Sequence, residues 1–193
     1  DSTLLSATYH DLALSYSAAK DYTKAFAFFT KTIAIRKAQH DTLNWSSSLF
    51  QFGGAYHNKG QYKEANDYYM EASVLQRKSN DKSNLIYTLA SMGVIAQGAD
   101  NNYKQAELYF NEAIKLATEL KDDYMLAYCY SRKKGLYRSQ GKAALADESI
   151  NKSLALYQKQ KNWKEVANTL IDIGYDQSYV YGNNAKALEY INK

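Results

Sequence analysis

Three histidines, His10, His40 and His57, and one cysteine, Cys129, are the side chains best suited to metal ligation or nucleophilic catalysis. A metal site needs several such ligands at a spacing that lets them converge, and these histidines fall in different helical or turn segments. Cys129 has no evident neighbour to stabilise a thiolate, so a small buried hydrophobe is its expected role. There is no glycine-rich phosphate loop, no nucleophile elbow and no pair of carboxylates at acid–base spacing. Glu64, Asp67, Glu71, Glu107 and Glu112 alternate with lysines, the pattern of a solvated helix face. The expectation is a non-enzyme with no cofactor and no metal. One concentration of charge stands apart: Arg132, Lys133, Lys134, Arg138 and Lys142. It reads as solvated helix charge or as contact with an acidic protein, membrane or nucleic acid. A nucleic-acid role needs further basic patches along one face, and these are not evident, so nucleic acid is not an expected partner.

The elements that must position these side chains are helices. The chain has 193 residues with 19 Tyr, 9 Gly and no Pro, which removes the strongest helix breaker. The 24 basic and 20 acidic residues are spread evenly, and the single cysteine allows no internal disulfide. No apolar run reaches bilayer-spanning length and there is no secretory core segment, leaving bacterial cytoplasm or periplasm open. The chain opens on Asp1 rather than Met, as a processed or excised piece of a longer protein would.

Self-similarity governs the sequence. QYKEANDYYMEA from Gln61, NYKQAELYFNEA from Asn102 and DYTKAFAFFTKT from Asp21 share a pattern that GKAALADESINKS from Gly141 keeps in part. A fifth copy starts at Asn183. Small residues anchor the copies at Ala25, Ala65, Ala106, Ala146 and Ala187, at intervals of 40, 41, 40 and 41. A second register agrees: helix N-cap types recur at Asp1, Asp41, Asp81, Asp122 and Asn162, each ahead of an apolar-periodic stretch. Between them lie turns at Lys59-Gly60, Gln97 to Asn102 and Gln140-Gly141, where glycine is expected to supply the left-handed cap. The unit is therefore helix A, turn, helix B, turn, with five units at approximately 1–40, 41–80, 81–121, 122–161 and 162–193, the last truncated. Helix A carries sets such as Leu49, Phe52, Gly53, Tyr56, and helix B carries Tyr62, Ala65, Tyr69, Ala72. Small residues alternate with aromatics so that paired helices can approach closely. One hairpin cannot bury both faces, and stacked neighbours complete the core.

These residues resemble the tetratricopeptide repeat (TPR) family, whose pattern is a large residue, Leu-Gly, then Tyr in helix A, and Ala, aromatic, Ala in helix B. The second unit matches it through Leu49, Phe52, Gly53, Tyr56, Gly60, Tyr62, Ala65, Tyr69 and Ala72. The period is longer than the family's usual 34 residues and the Pro that ends helix B is absent. Such long repeats resemble TPR arrays of bacterial signalling proteins, among them Rap and PlcR-type regulators and Bacteroidetes sensor and regulator domains. The fourth unit departs, with Lys133-Lys134 where Leu-Gly is expected.

The resemblance implies an all-α, right-handed superhelix of stacked antiparallel hairpins, an α-solenoid, with the A helices lining its concave side. Carried over by register, the implied ligand groove consists of His10, Phe50, His57, Asn58, Tyr87, Gln97, Tyr128, Ser131, Arg138 and Tyr175. Rigid aromatics with amides and hydroxyls suit an extended peptide or a partner helix. The expected function is a protein- or peptide-binding module, the sensory or scaffold part of a larger bacterial signalling protein. The alternative is a structural spacer that self-associates through its end repeats.

Overall fold

The computed structural model describes residues 1–180, 182, 183, 185 and 188. Among them are nine α-helices and no strand: α1 Ser2–Ala18, α2 Tyr22–Ala38, α3 Thr42–Asn58, α4 Tyr62–Lys78, α5 Lys82–Gly98, α6 Tyr103–Leu120, α7 Asp123–Ser139, α8 Ala143–Lys159 and α9 Trp163–Tyr175. A π-helical turn, Asp176–Val180, follows α9. The second-helix anchor of the fifth unit, Ala187, lies outside the described residues.

Each expected N-cap closes its helix. The side chains of Asp41, Asp81, Asp122 and Asn162 accept from the N–H of Asn44, Asn84, Met125 and Glu165, and Asp1 accepts from Thr3. One orphan donor per helix is thereby satisfied by a residue two or three positions before it, a local matter that sequence can specify. The preceding helix ends in the same few residues. Asp41 N–H donates to Arg36 C=O at 3.1 Å and Asp81 N–H to Gln76 C=O at 2.8 Å, the six-to-one bond of a Schellman cap. The residue between the two helices must therefore be left-handed.

Glycine fills that position only at Gly60 (φ 84°) and Gly141 (φ 70°); elsewhere it is Lys20, His40, Asn80, Asn101, Lys121 or Lys161, at φ between 51° and 61°. The glycine expected for the third unit is not the cap: Gly98 is the last residue of α5, and Asn101 takes the left-handed conformation. A left-handed non-glycine costs about 1 kcal/mol, which hydrogen bonding and packing on both sides offset.

The contacts divide the chain into two compact units, Asp1–Tyr109 and Phe110–Lys193. In the first, Ala13, Ala25, Phe29, Phe52 and Ala55 form one buried cluster. Phe52 stacks on Phe29 at 5.1 Å and meets Phe26, Tyr56 and Tyr68 at 5.3, 4.9 and 4.4 Å. The close approach that makes room for these rings is at Gly53, where an added Cβ would stand 2.8 Å from the Tyr69 ring and 3.1 Å from the Ala65 carbonyl. Arg36, almost fully buried, ties α2 to α3 by donating to the Asn44 carbonyl at 3.1 Å and the Ser48 hydroxyl at 2.6 Å.

In the second unit Ala127, Tyr157, Val166 and Leu170 pack together. Here Lys134 stands at the register position of Gly53, offset by 81 residues as Asp122 is from Asp41. Its ammonium reaches both Asp172 oxygens at 2.8 Å and Asp176 at 3.1 Å. Arg138 joins Asp147 of α8 at 2.9 Å and the same Asp176 at 3.1 Å. Two members of the basic run are thus not solvated charge: the Lys134 and Arg138 side chains are only 11% and 15% exposed, and acidic partners on α8, α9 and the π-turn neutralise them, while Arg132 and Lys142 are exposed.

Candidate functional site

Tyr124, Tyr128, Ser131 and Arg132 repeat at helical spacing on α7, and Glu165, Asn168, Thr169 and Asp172 do the same on α9. With Tyr157 of α8 these two stripes enclose a cleft of about 420 Å³ within the second compact unit. Both stripes lie on A helices of adjacent repeats, the helices along which the resemblance places a ligand.

Its floor is aromatic. Tyr157 is buried, and its ring lies 5.8 Å from that of Tyr124. Burial pushes the Tyr157 hydroxyl well above the usual phenol range, reinforced by Tyr124 and Glu165 and partly offset by Arg132. It stays a neutral phenol at any physiological pH. The Arg132 guanidinium lies 4.9 Å from the centre of the Tyr128 ring. On the opposite wall the Asn168 amide donates to the Glu165 carboxylate at 3.4 Å, and the Thr169 hydroxyl donates to the Glu165 carbonyl at 2.7 Å. Asp172 serves two structures at once: it lines the cleft and pairs with Lys134.

Within each compact unit the residues expected to form a groove have different surroundings. Tyr128 and Ser131 share the cleft just described. His57 lines a second recess of about 350 Å³ with Tyr62, Val94 and Ile95, its ring edge-on to Tyr62 at 5.3 Å. His10 and Phe50 are half-buried against the B helix of their own hairpins: His10 meets Phe29 at 6.0 Å and Phe50 meets Tyr69 at 5.5 Å. Burial, with the nearby Arg36 charge, lowers the His10 pKa below its ordinary value, and Asp11 opposes this only in part. Tyr87 and Gln97 are half-buried on α5, Asn58 is exposed at the end of α3, and Tyr175 is exposed at the end of α9. Arg138 belongs to the ion cluster with Asp147 and Asp176.

Tyr124, Arg132, Tyr157, Glu165, Thr169 and Asp172 are the cleft residues that register alone does not select. Tyr124 sits one helical turn before Tyr128, a spacing that could have signalled it. Tyr157 comes from a B helix and Glu165 from the first turn of α9, and nothing local in the sequence marks either.

No histidine or cysteine lines the cleft. Cys129, beside it in sequence, is buried and its thiol is pushed up to about 12 by burial, so it is protonated and unreactive. Among the described residues no group of three or more His, Cys, Asp or Glu side chains could hold a metal ion. No helix among them is long and apolar enough to cross a membrane.

Two tetratricopeptide-repeat family models match the sequence, one over residues 5–38 and one over residues 45–119. No curated protein matches it. Among solved structures, the STAND signal-transduction ATPase of Pyrococcus horikoshii, which has a tetratricopeptide repeat sensor, is similar at TM-score 0.80 and 21% identity over 98% of this chain. This chain spans 29% of that protein. The kinesin-light-chain-related TPR-like repeats of Podosopora anserina are similar at TM-score 0.74 and 14% identity, covering 96% of this chain and 92% of theirs. The apo quorum sensor NprR of B. thuringiensis is similar at TM-score 0.63 and 16% identity, covering 97% of this chain and 63% of that one. At these identities the likeness concerns the fold, which is that of a TPR-type α-solenoid.

Proposed function

Since the chain belongs to the tetratricopeptide-repeat family, we propose that it is a non-catalytic module that captures a peptide or helix of a partner protein in the cleft between α7 and α9. The observation that carries this reading is the lining of that cleft. Three tyrosines supply rigid contact area, and Ser131, Asn168 and Glu165 supply hydrogen-bonding groups able to pair with a peptide backbone. The cavity is at the small end for ligand sites, which favours a few residues of extended chain over a folded surface. The role extends to sensing or scaffolding within a larger bacterial signalling protein. Its support is the company of the fold: the Pyrococcus protein carries its repeats as a sensor and NprR is a quorum sensor.

Panning a phage-displayed peptide library on the immobilised protein, then measuring selected peptides by fluorescence anisotropy, tests the reading. Tyr128→Ala is expected to weaken them about tenfold or more, as loss of an aromatic anchor does, with the helical circular-dichroism signal preserved. Affinities unchanged by Tyr128→Ala would remove the cleft from consideration.

A spacer or self-association role is the second reading, favoured by one surface. Leu4 and Leu5 of α1 are 69% and 44% exposed and border, with Asp1 and Thr8, a recess of about 490 Å³. Sedimentation at a single monomeric mass across micromolar to millimolar concentration would exclude it.

A further inference from the structure

The peptide-binding reading leaves open the charge of what enters the cleft, and the side chains around it bear on that. We propose that the cleft between α7 and α9 is a seat for one cationic side chain, lysine or arginine, of a bound peptide. The inference rests on the binding-module reading of the same site and specifies its ligand chemistry.

The first argument is the position of Arg132. Its guanidinium lies 4.9 Å from the centroid of Tyr128, and no described carboxylate pairs with it. A ring face draws a cation to its negative quadrupole, and here it holds the one cationic side chain that lines the cleft. Arg132 is itself an exposed residue, so its side chain can swing into solvent and give up the ring at little cost. It acts as an internal placeholder for a ligand's cation.

The second argument is the distribution of negative charge. Glu165 lines the cleft with Tyr157, and among the described residues its carboxylate receives only the Asn168 amide, at 3.4 Å. Asp172 is held by Lys134, yet its side chain remains 43% exposed and lines the cleft. Two carboxylates and three tyrosines therefore border a cavity sized for a long side chain and its flanking backbone. An anionic ligand would have to sit beside both carboxylates, with Arg132 as the one cation among the lining residues. A cationic one displaces Arg132, takes the Tyr128 face, and finds Glu165 without a counter-charge.

Three acetylated, amidated pentapeptides provide the probes: Gly-Ser-Arg-Ser-Gly, its citrulline twin of the same shape and no charge, and its glutamate twin. Each is titrated into isotopically labelled protein and followed by NMR. The arginine peptide is expected to shift the Tyr124, Tyr128 and Tyr157 resonances and to bind about three- to fivefold more tightly than the citrulline twin. Glu165→Gln should lower that affinity to the citrulline level. Arg132→Ala should raise it, because the competing guanidinium is then gone. The proposal is overturned if the glutamate peptide binds as tightly as the arginine one. It is equally overturned if Arg132→Ala weakens arginine binding, or if no peptide shifts these tyrosines. Any of those results, with library-selected peptides still lost on Tyr128→Ala, would leave the binding module standing and remove only its cation preference.

Discussion

Lys134→Met deletes the ammonium that joins α7 to α9 while keeping most of the aliphatic stem. The lost contacts are two oxygens of Asp172 at 2.8 Å and Asp176 at 3.1 Å, around a side chain that is 11% exposed. Opposite charges about 3 Å apart attract by roughly 5 kcal/mol at an effective dielectric near 20, most of it offset by desolvation. The cost of the substitution is instead the carboxylate left behind. A buried charge stripped of its partner costs about 3–5 kcal/mol, but Arg138 still stands 3.1 Å from Asp176. Asp172 is 43% exposed and water replaces its partner, so it adds little. The expected loss is about 2–3 kcal/mol, or about 30- to 150-fold faster amide exchange. Because repeats unfold in part independently, hydrogen–deuterium exchange read by mass spectrometry should place that change in α9, with α3 nearly unaffected. Asp176→Asn should couple to it in a double-mutant cycle, since both remove the same attraction. Exchange in α9 accelerated less than about threefold, or additive effects of the two substitutions, would refute a structural role for the cluster.

Gly53→Ala places a methyl 2.8 Å from the buried Tyr69 ring and should lower stability by about 1–3 kcal/mol in a urea titration. Adding Tyr69→Leu should recover part of that loss, whereas Tyr69→Phe, which keeps the ring, should not. His10→Phe copies the Phe50–Tyr69 contact into the first hairpin. In the native protein His10 has a lowered pKa, so the unfolded chain takes up its proton first. The wild type should therefore be fully stable above the ordinary histidine value of 6.5 and lose stability as pH falls below it, while His10→Phe flattens that limb in thermal melts at pH 7 and pH 5.

What could be read from the sequence was set by short-range physics. The N-caps at Asp41, Asp81, Asp122 and Asn162 bond to N–H groups three residues on, and each is found as expected. Ala25, Ala65, Ala106 and Ala146 are fully buried because each marks a helix crossing that repeats with the sequence. The turns were half-legible. Glycine is the cheap left-handed residue, but a six-to-one bond closing one helix onto the next cap forces lysine, histidine or asparagine into the same conformation. The groove was least legible. Register selects residues on a common stripe, but His10 and Phe50 have aromatic partners on their own B helices, Phe29 and Tyr69, to pack against. Whether a half-buried position faces inward or outward depends on that partner, some twenty residues away.

The fourth unit shows how a departure from the pattern can create a site. A glycine at the Gly53 position lets a hairpin close on an apolar partner; Lys134 at that position demands acids on the next repeat instead. Asp172 and Asp176 meet the demand, and the backbone of α9 passes into a π-turn at Asp176. Irregular helix of this kind needs compensation from its surroundings, here supplied by two cations on α7. The same Asp172 faces the cleft, so a ligand's cation drawn toward it competes with Lys134 for one carboxylate. Packing of α9 and occupancy of the cleft then share a residue, and a ligand that weakens the Lys134–Asp172 pair loosens α9 only slightly, because Lys134 keeps Asp176. Exchange protection in α9 thus reports both on the ion cluster and, in a peptide complex, on how the ligand engages it.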